Sequence, residues 1–150
     1  MSGGGQQATT SLWSPPEEGM IKINTDAVVV GTAGVGLGVA VRDARGQLLC
    51  MAARTVAAAW EPDFAEAAAA WMGVKLAVRM GWRKIWLELD ALSIVSKISK
   101  AVKKPSPLFA FINRILDAVK SLESFKCTHV ARAGNVVAHG IAHIYPDGGE

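Results

Sequence analysis

The segment IKINTD, at residues 21–26, alternates apolar and polar side chains along its length. A period of two is typical of a β-strand that has one buried face. Two further apolar runs follow, GVGLGVAVRD at 34–43 and QLLCMAARTVA at 47–57, and the turn Asp43-Ala44-Arg45-Gly46 joins them. Two such runs around an Asp…Gly turn predict a hairpin. The first three strands are therefore expected to form an antiparallel meander.

The spacing of apolar residues along the sequence changes at Pro62. The alanine-rich segment 62–80 carries Pro and Asp in its first turn and stops before Gly81, which predicts a helix. The later elements are expected to be a strand at 84–89, a helix at 91–104 closed by Pro105, a helix at about 108–122, a strand at 124–131 and a helix from Asn135. The order β-β-β-α-β-α-α-β-α predicts an α/β fold, with a mixed five-stranded sheet flanked by helices.

Length and composition exclude several classes of protein. The chain has 150 residues, of which 51% are hydrophobic and 19% charged, so extensive disorder is excluded and one domain is expected. No apolar stretch reaches the roughly 18 residues of a membrane helix, and the first ten residues lack the features of a signal peptide. We expect a flexible leader at 1–12, a domain at 13–145 and a flexible tail at 146–150.

The two cysteines, Cys50 and Cys127, are too few for a disulfide framework or for a zinc site of their own. Both lie in apolar strand segments and are expected in the core. Together with the lack of an export signal, this favours an intracellular protein, nuclear or cytoplasmic rather than secreted, without a membrane partner. We expect a monomer.

Basic residues cluster in one part of the sequence. The chain carries a net charge of +3, but residues 75–104 hold eight basic residues against two acidic ones and so carry +6. Such clustering is compatible with a polyanionic partner such as a nucleic acid, and Lys97, Lys100 and Lys104 belong to it. The alternative is a solvated helix face that keeps an apolar protein in solution.

Three acidic residues occupy unusual positions. Asp26 lies within or at the end of an apolar strand, Glu66 lies in the first turns of the alanine-rich helix, and Asp90 ends the fourth strand. Each has an ordinary alternative. Asp26 could be a turn residue or an ion-pair partner of Lys22, Glu66 could favour the positive end of its helix, and Asp90 could be an N-cap.

Taken together, the three carboxylates suggest a metal centre. If the first and fourth strands are neighbours, Asp26 and Asp90 converge, and Glu66 can reach the same place. Three carboxylates in one cleft repel one another unless hard cations such as Mg²⁺ or Mn²⁺ neutralise them. Two such ions roughly 4 Å apart can activate water and stabilise the leaving oxygen during phosphodiester cleavage.

Other motifs give weaker signals. His139 and His143 lie four residues apart on one helix face, where they could bind a transition metal or be two ordinary polar residues. The glycines Gly34, Gly36 and Gly38 miss the dinucleotide-binding spacing and are expected to permit a close backbone approach in the sheet. The five tryptophans are expected mostly in the core, although an exposed ring could stack on a base.

The sequence resembles the RNase H type 1 family, and within it the reverse-transcriptase-like RNase H domains that are abundant in plants and often derived from retroelements. The resemblance rests on an ordered set of pieces rather than on one motif. These are Trp13-Ser-Pro-Pro16, Lys22-Ile-Asn-Thr-Asp26, Gly34-Val-Gly36, Arg42-Asp-Ala-Arg-Gly46, Pro62…Ala65-Glu66, Gly81, Glu88-Leu-Asp90 and Arg132-Ala-Gly-Asn135…Ala138-His139…Ile141-Ala142.

The resemblance implies an endonuclease that cuts the RNA strand of an RNA/DNA hybrid with two Mg²⁺ ions. Asp26, Glu66 and Asp90 match the first three metal-binding carboxylates of the family. Asp26 would bridge both ions, Asp90 would hold the ion that activates water, and Glu66 the ion on the leaving-group side. His139 is the fourth catalytic position, and the expected substrate contacts are Asn24, Arg132, Asn135, Lys97 and Lys100.

Two positions depart from the family pattern. His139 stands where the archetypal enzymes have a fourth carboxylate, and Mg²⁺ prefers oxygen ligands to imidazole, so the second ion is expected to bind weakly or to be Mn²⁺. Ala27 stands where the family usually has Gly after the catalytic Asp. Two alternatives to hydrolysis follow: a nucleic-acid-binding module that has lost turnover, or a protein-interaction scaffold that binds no nucleic acid.

Overall fold

The computed structural model describes residues 12–144, which form five strands and four α-helices in the predicted order. The predicted tail and all of the predicted leader except Leu12 lie outside these residues. The elements are β1 (Ile21–Val30), β2 (Gly34–Arg42), β3 (Leu48–Val56), α1 (Pro62–Arg79), β4 (Lys84–Leu89), α2 (Leu92–Ser99), α3 (Phe109–Ala118), β5 (Ser124–His129) and α4 (Val136–Ala142). No helix in residues 12–144 is long and apolar enough to cross a membrane.

The five strands form one mixed sheet in the order β3-β2-β1-β4-β5. The pairs β1–β2 and β2–β3 are antiparallel, which confirms the predicted meander. The pairs β1–β4 and β4–β5 are parallel. Since β4 lies directly beside β1, the condition for Asp26 and Asp90 to converge is met.

Helix α1 packs against one face of β1 because its contact residues are small. Ala70, Gly73 and Ala77 are buried, and side chains this small let the helix approach the sheet closely. A Cβ added at Gly73 would lie 2.9 Å from Ile23 Cγ2 and 2.8 Å from Thr25 Cγ2. The hydrophobic core fills this side of the sheet, between the strands and helices α1, α2 and α3, and the partly buried Cys50 and Cys127 pack against it.

Helix α4 packs on the opposite face of the sheet, over Gly38 of β2. A Cβ at Gly38 would overlap the carbonyl oxygen of Ala138 and lie 2.6 Å from the amide nitrogen of Ala142. The close approach expected at this glycine is therefore made by a helix rather than within the sheet. It brings His139 against the face of β1 that carries Asp26.

Several element ends differ from the predicted ones. Strand β1 continues beyond Asp26 to Val30. Helix α2 ends at Ser99 rather than at 104, since Ala101 takes a left-handed backbone conformation (φ 54°) that an α-helix cannot continue through. A 3-10 turn follows α3 at Val119–Ser121, and another precedes α4 at Arg132–Asn135.

Candidate active site

Asp26, Glu66 and Asp90 converge at one place from three separate elements. Asp26 lies inside β1 with its residue 1% exposed, and the parallel register sets Thr25 beside Leu89, so Asp90 follows β4 level with Asp26. Glu66 is the fifth residue of α1. One carboxylate oxygen from each of the three lies within 4.8 Å of the others.

The ordinary alternatives for Asp26 and Asp90 are wrong. Asp26 is neither in a turn nor paired with Lys22, because Lys22 forms its ion pair with Glu88. Asp90 is not the N-cap of α2, since Ala91 takes that position and no side chain caps the helix.

Burial and the repulsion between neighbouring carboxylates disfavour a cluster in which all three side chains are negatively charged. Burial is the main cause that raises the pKa of Glu66 to about 9, and Asp26 adds its charge and a hydrogen bond, followed by the charge of Asp90. Burial, and then the charge of Asp26, also raise the pKa of Asp90 above its usual value. Without a cation, the cluster therefore keeps a proton at neutral pH.

Two buried oxygens in the cluster lack a hydrogen-bond partner among the described residues: Glu66 Oε1 and Asp90 Oδ2. The nearest cation to Asp90 Oδ2 is Nε of Arg132 at 3.6 Å, which exceeds a hydrogen-bond length. Buried oxygens without donors are costly, and carboxylate oxygens are the ligands that hard divalent cations prefer. The residues present therefore fit such a cation.

His139 of α4 lies against Asp26. Its Nδ1 is 2.6 Å from Asp26 Oδ2, a distance at which the ring donates a hydrogen bond and the carboxylate accepts it. The Nε2 atom of the same ring lies 3.1 Å from Nε2 of His143, one helical turn further along. The predicted fourth position is thus in direct contact with the first carboxylate.

Asn24 and Asn135, two of the expected substrate contacts, are buried and bonded to each other. Asn24 Nδ2 donates to Asn135 Oδ1 at 2.9 Å and to Glu88 Oε1 at 2.9 Å. Asn135 Nδ2 donates to the carbonyl oxygen of Thr25, also at 2.9 Å. These bonds attach the start of α4 to β1, beside Asp26.

A buried ion pair supports this amide network. Lys22 Nζ lies 3.0 Å from Glu88 Oε2, and both side chains are 0% exposed. The rings of Trp86 and Trp13 face the ammonium group at 4.0 Å and 5.1 Å, and Lys22 Nζ also donates to the carbonyl oxygen of Ser14 at 2.7 Å. Burial lowers the pKa of Lys22, and the hydrogen bond to Glu88 opposes that effect.

Arg132, Lys97 and Lys100 lie nearer the surface. The Arg132 side chain is 72% exposed beside Asp90. Lys97 Nζ donates to Ser93 Oγ at 3.3 Å, and that hydroxyl donates to Asp63 Oδ2 at 3.0 Å, which places Lys97 near the start of α1. Lys100 is exposed at the end of α2.

The basic residues of 75–104 lie on several different elements. They are divided between α1, the start of β4, α2 and the segment after it, and Lys84 lies at the end of β4 opposite Asp90. Lys84 and Lys103 form ion pairs with Glu123 and Asp117.

Ala27 adopts no unusual backbone conformation. It lies within β1, and its φ is not positive. The methyl group at this position therefore causes no backbone strain.

The sequence did not reveal that Lys22 pairs with Glu88. Nor did it show that the ring of His139 contacts both Asp26 and His143 directly. Alternation along β1 does place Lys22 and Asn24 on the Asp26 face, which is a signal that polar residues line that face. The pairing with Glu88 depends on the register between β1 and β4, for which the sequence offers no local signal.

We expect Glu66→Gln to stabilise the metal-free chain at neutral and alkaline pH. The folded state holds the proton of Glu66 up to about pH 9, so the stability this group contributes is complete below its ordinary pKa of 4.5 and is lost as the pH rises towards 9. Glutamine has no proton to lose in this range, so the free energy of unfolding of the variant should exceed that of the parent by about 1–3 kcal/mol at pH 8.

Urea unfolding in a chelator at pH 5, 7 and 8.5 measures the effect. Glu61→Gln, at an exposed position just before α1, is the matched control and should show no pH-dependent difference. A difference between parent and Glu66→Gln that does not grow with pH would contradict the raised pKa.

Comparison with known proteins gives a family and a fold. The family model described as "Reverse transcriptase-like" matches residues 24–144, whereas no curated protein sequence matches significantly. Three solved structures cover 85% of this chain. RNase H1 from the archaeon Halobacterium salinarum is 20% identical, with a TM-score of 0.78 over 98% of its chain.

The N-terminal RNase H domain of a Mycobacterium tuberculosis protein is 22% identical, with a TM-score of 0.77 over 94% of that chain. LC11-RNase H1, solved in complex with an RNA/DNA hybrid, is 19% identical, with a TM-score of 0.76 over 96% of its chain. At these identities the similarity shows the RNase H fold alone. Since the family model spans most of the sequence, the chain belongs to the reverse transcriptase-like family and has the RNase H fold.

Proposed function

We propose that this chain is a divalent-metal-dependent endonuclease that hydrolyses the RNA strand of RNA/DNA hybrids. The observation that carries the proposal is the convergence of Asp26, Glu66 and Asp90, with ligand oxygens within 4.8 Å of one another. Two of these carboxylates contain a buried oxygen that has no hydrogen-bond partner within residues 12–144. A structural carboxylate would be expected to have donors, so the cluster is better explained as a cation site.

The three carboxylates would divide the ligation of two cations. Asp26 would contribute to both sites, with Asp90 on the side of the attacking water and Glu66 on the leaving-group side. Cations bound there supply Lewis-acid stabilisation of the reacting phosphodiester and make water more acidic. Their binding also requires Glu66 to lose its proton, because the ligating form of a carboxyl group is the anion.

His139 takes the fourth position, and its Nδ1 hydrogen bond holds one oxygen of Asp26 in place. An imidazole is a poorer ligand for Mg²⁺ than a carboxylate, and Mn²⁺ accepts nitrogen more readily. We therefore expect higher activity in Mn²⁺ than in Mg²⁺. Since one chain contributes all of these side chains, we propose that the monomer is sufficient.

The hybrid is favoured as substrate by the fold and by the charges beside the cluster. LC11-RNase H1, which shares the fold, was solved with an RNA/DNA hybrid bound. In this chain the exposed Arg132 lies beside Asp90, and Lys97 lies near the start of α1. We propose that Arg132, Lys97 and Lys100 contact phosphates, which would make binding strongly salt-dependent.

Cleavage of a fluorescently labelled RNA/DNA hybrid in Mg²⁺ and in Mn²⁺ tests the proposal. The parent chain should cleave the RNA strand, and Asp90→Asn should lose at least about 100-fold in rate, since one of three charged ligands is removed. Asp63→Asn, an exposed acidic residue of α1, is the control and should keep activity.

Either of two results would contradict the proposal and favour another function. Salt-dependent hybrid binding without cleavage in either metal would indicate a nucleic-acid-binding module. A folded chain that neither binds nor cleaves the hybrid would indicate a protein-interaction scaffold.

A further inference from the structure

The two histidines of α4 lie side by side at the edge of the carboxylate cluster. His139 and His143 are four residues apart, so their rings project from the same side of the helix. Their ring centroids are 4.5 Å apart, and their Nε2 atoms are separated by 3.1 Å. The side chain of His139 is 30% exposed, and His143 is also partly exposed, so an ion from solvent can reach them.

The spacing of the two nitrogens suits a single transition-metal ion. Zinc binds imidazole nitrogen at about 2.0–2.1 Å, which sets two nitrogens of a tetrahedral site about 3.3 Å apart. The observed separation of 3.1 Å differs from this by only a few tenths of an ångström. The same distance is that of a hydrogen bond between the two rings, so both rings must turn and the hydrogen between them must be displaced when an ion binds.

A second observation, independent of that spacing, is the bond on the other side of the His139 ring. Its Nδ1 contacts Asp26 Oδ2 at 2.6 Å. Histidines that bind metals commonly donate their second ring N–H to a carboxylate, which fixes the tautomer and makes the other nitrogen the ligand. With Nδ1 donating to Asp26, His139 presents the lone pair of Nε2 towards His143.

We propose that His139 and His143 form a second binding site, for a transition-metal ion such as Zn²⁺, Ni²⁺ or Cu²⁺, which lies beside the carboxylate cluster and shares His139 with it. Imidazole nitrogen selects these ions over Mg²⁺. The ligands are Nε2 of both rings, and water completes the coordination. Asp26 orients His139 without binding this ion.

The two sites are coupled because Asp26 takes part in both. A divalent ion on His139 adds positive charge next to the carboxylate that would hold the hard cations, and charges of the same sign repel across a short distance. Each ion therefore weakens the binding of the other by the same factor. This coupling rests on the proposed function, whereas the histidine site itself does not.

Copper binding measured without nucleic acid tests the site directly. Electron paramagnetic resonance of the full chain with one equivalent of Cu²⁺ should show coupling to two imidazole nitrogens, and His143→Ala should reduce this to one. By isothermal titration calorimetry, His143→Ala should weaken Zn²⁺ binding by at least about 10- to 100-fold. This is the loss found when a residue that only hydrogen-bonds to a metal ligand is removed, and His143 is itself a ligand.

Two control variants separate this site from the other metal-binding groups. His129→Ala removes the third histidine of the chain, and Glu66→Gln removes a ligand of the carboxylate cluster. Both should keep the two-nitrogen Cu²⁺ spectrum of the parent, because neither change removes a nitrogen ligand of this site. Because these measurements use no hybrid, an inactive nuclease leaves the result unaffected.

Several outcomes would overturn the site. These are a Cu²⁺ spectrum of the parent with fewer than two nitrogens, unchanged Zn²⁺ affinity in a folded His143→Ala chain, and loss of the two-nitrogen Cu²⁺ spectrum in Glu66→Gln. Circular dichroism establishes the folding of each variant. If His143→Ala does not fold, His143→Asn repeats the measurement with a polar side chain at the same position.

Discussion

Replacing Asp26 by Asn is expected to reduce hybrid cleavage by about 10³-fold or more, the largest loss for any single substitution in the cluster. After burial, the charge of Asp26 is the next cause that raises the pKa values of both Glu66 and Asp90, and Asp26 also accepts the hydrogen bond from His139. Asparagine preserves its size but removes the charge that both cation sites would share.

The stability of Asp26→Asn separates a catalytic role from a structural one. Removing one of three mutually repelling carboxylates should leave the metal-free fold at least as stable as the parent, by urea unfolding at pH 7. An inactive variant with unchanged or raised stability is the expected result. Cleavage at the parental rate, with Asp63→Asn measured alongside, would rule out the metal centre.

Replacing Glu88 by Ala is expected to destabilise the fold by about 3–5 kcal/mol, because it leaves a buried cation without its partner. Lys22 and Glu88 are both 0% exposed, and their charged atoms lie 3.0 Å apart. Asn24 also loses an acceptor, since its amide donates to Glu88 Oε1. The same change therefore weakens the amide bonds that attach α4 to β1.

Urea unfolding measures this loss, and Glu123→Ala is the matched control. Glu123 also pairs with a lysine, Lys84, but both side chains are exposed, so its removal should change the unfolding midpoint little. The double variant Lys22→Met with Glu88→Leu should recover much of the lost stability, since no buried charge remains. A small effect of Glu88→Ala would show that the ion pair is unimportant for stability.

Much of the fold follows from local patterns that act over a few residues. Alternation in IKINTD, the Asp…Gly turn after β2, and the alanine-rich helix between Pro62 and Gly81 each predict an element where the structure has one. The residues at which helices and strands end were less predictable. Helix α2 stops at Ser99 because of the left-handed conformation of Ala101, and nothing in the identity of an alanine announces that conformation.

The carboxylates could be found in the sequence because three acidic residues in unusual positions together suggest a metal centre, although each of them alone has an ordinary alternative. A carboxylate in a buried strand, as at Asp26, is costly unless it has a cation or a hydrogen-bond donor as partner. The sequence could propose that Asp26 and Asp90 converge, but only the parallel pairing of β1 with β4 decided it.

The sequence by itself determined the order of the elements, the family resemblance and the three carboxylates. Only the tertiary structure decided that Lys22 pairs with Glu88 rather than with Asp26, that Asn24 and Asn135 bond to each other, and that His139 contacts both Asp26 and His143. The physical reason is distance along the chain. A short turn fixes the register of a hairpin, but β1 and β4 are far apart in the sequence, so their register and the placement of α4 depend on packing between distant segments.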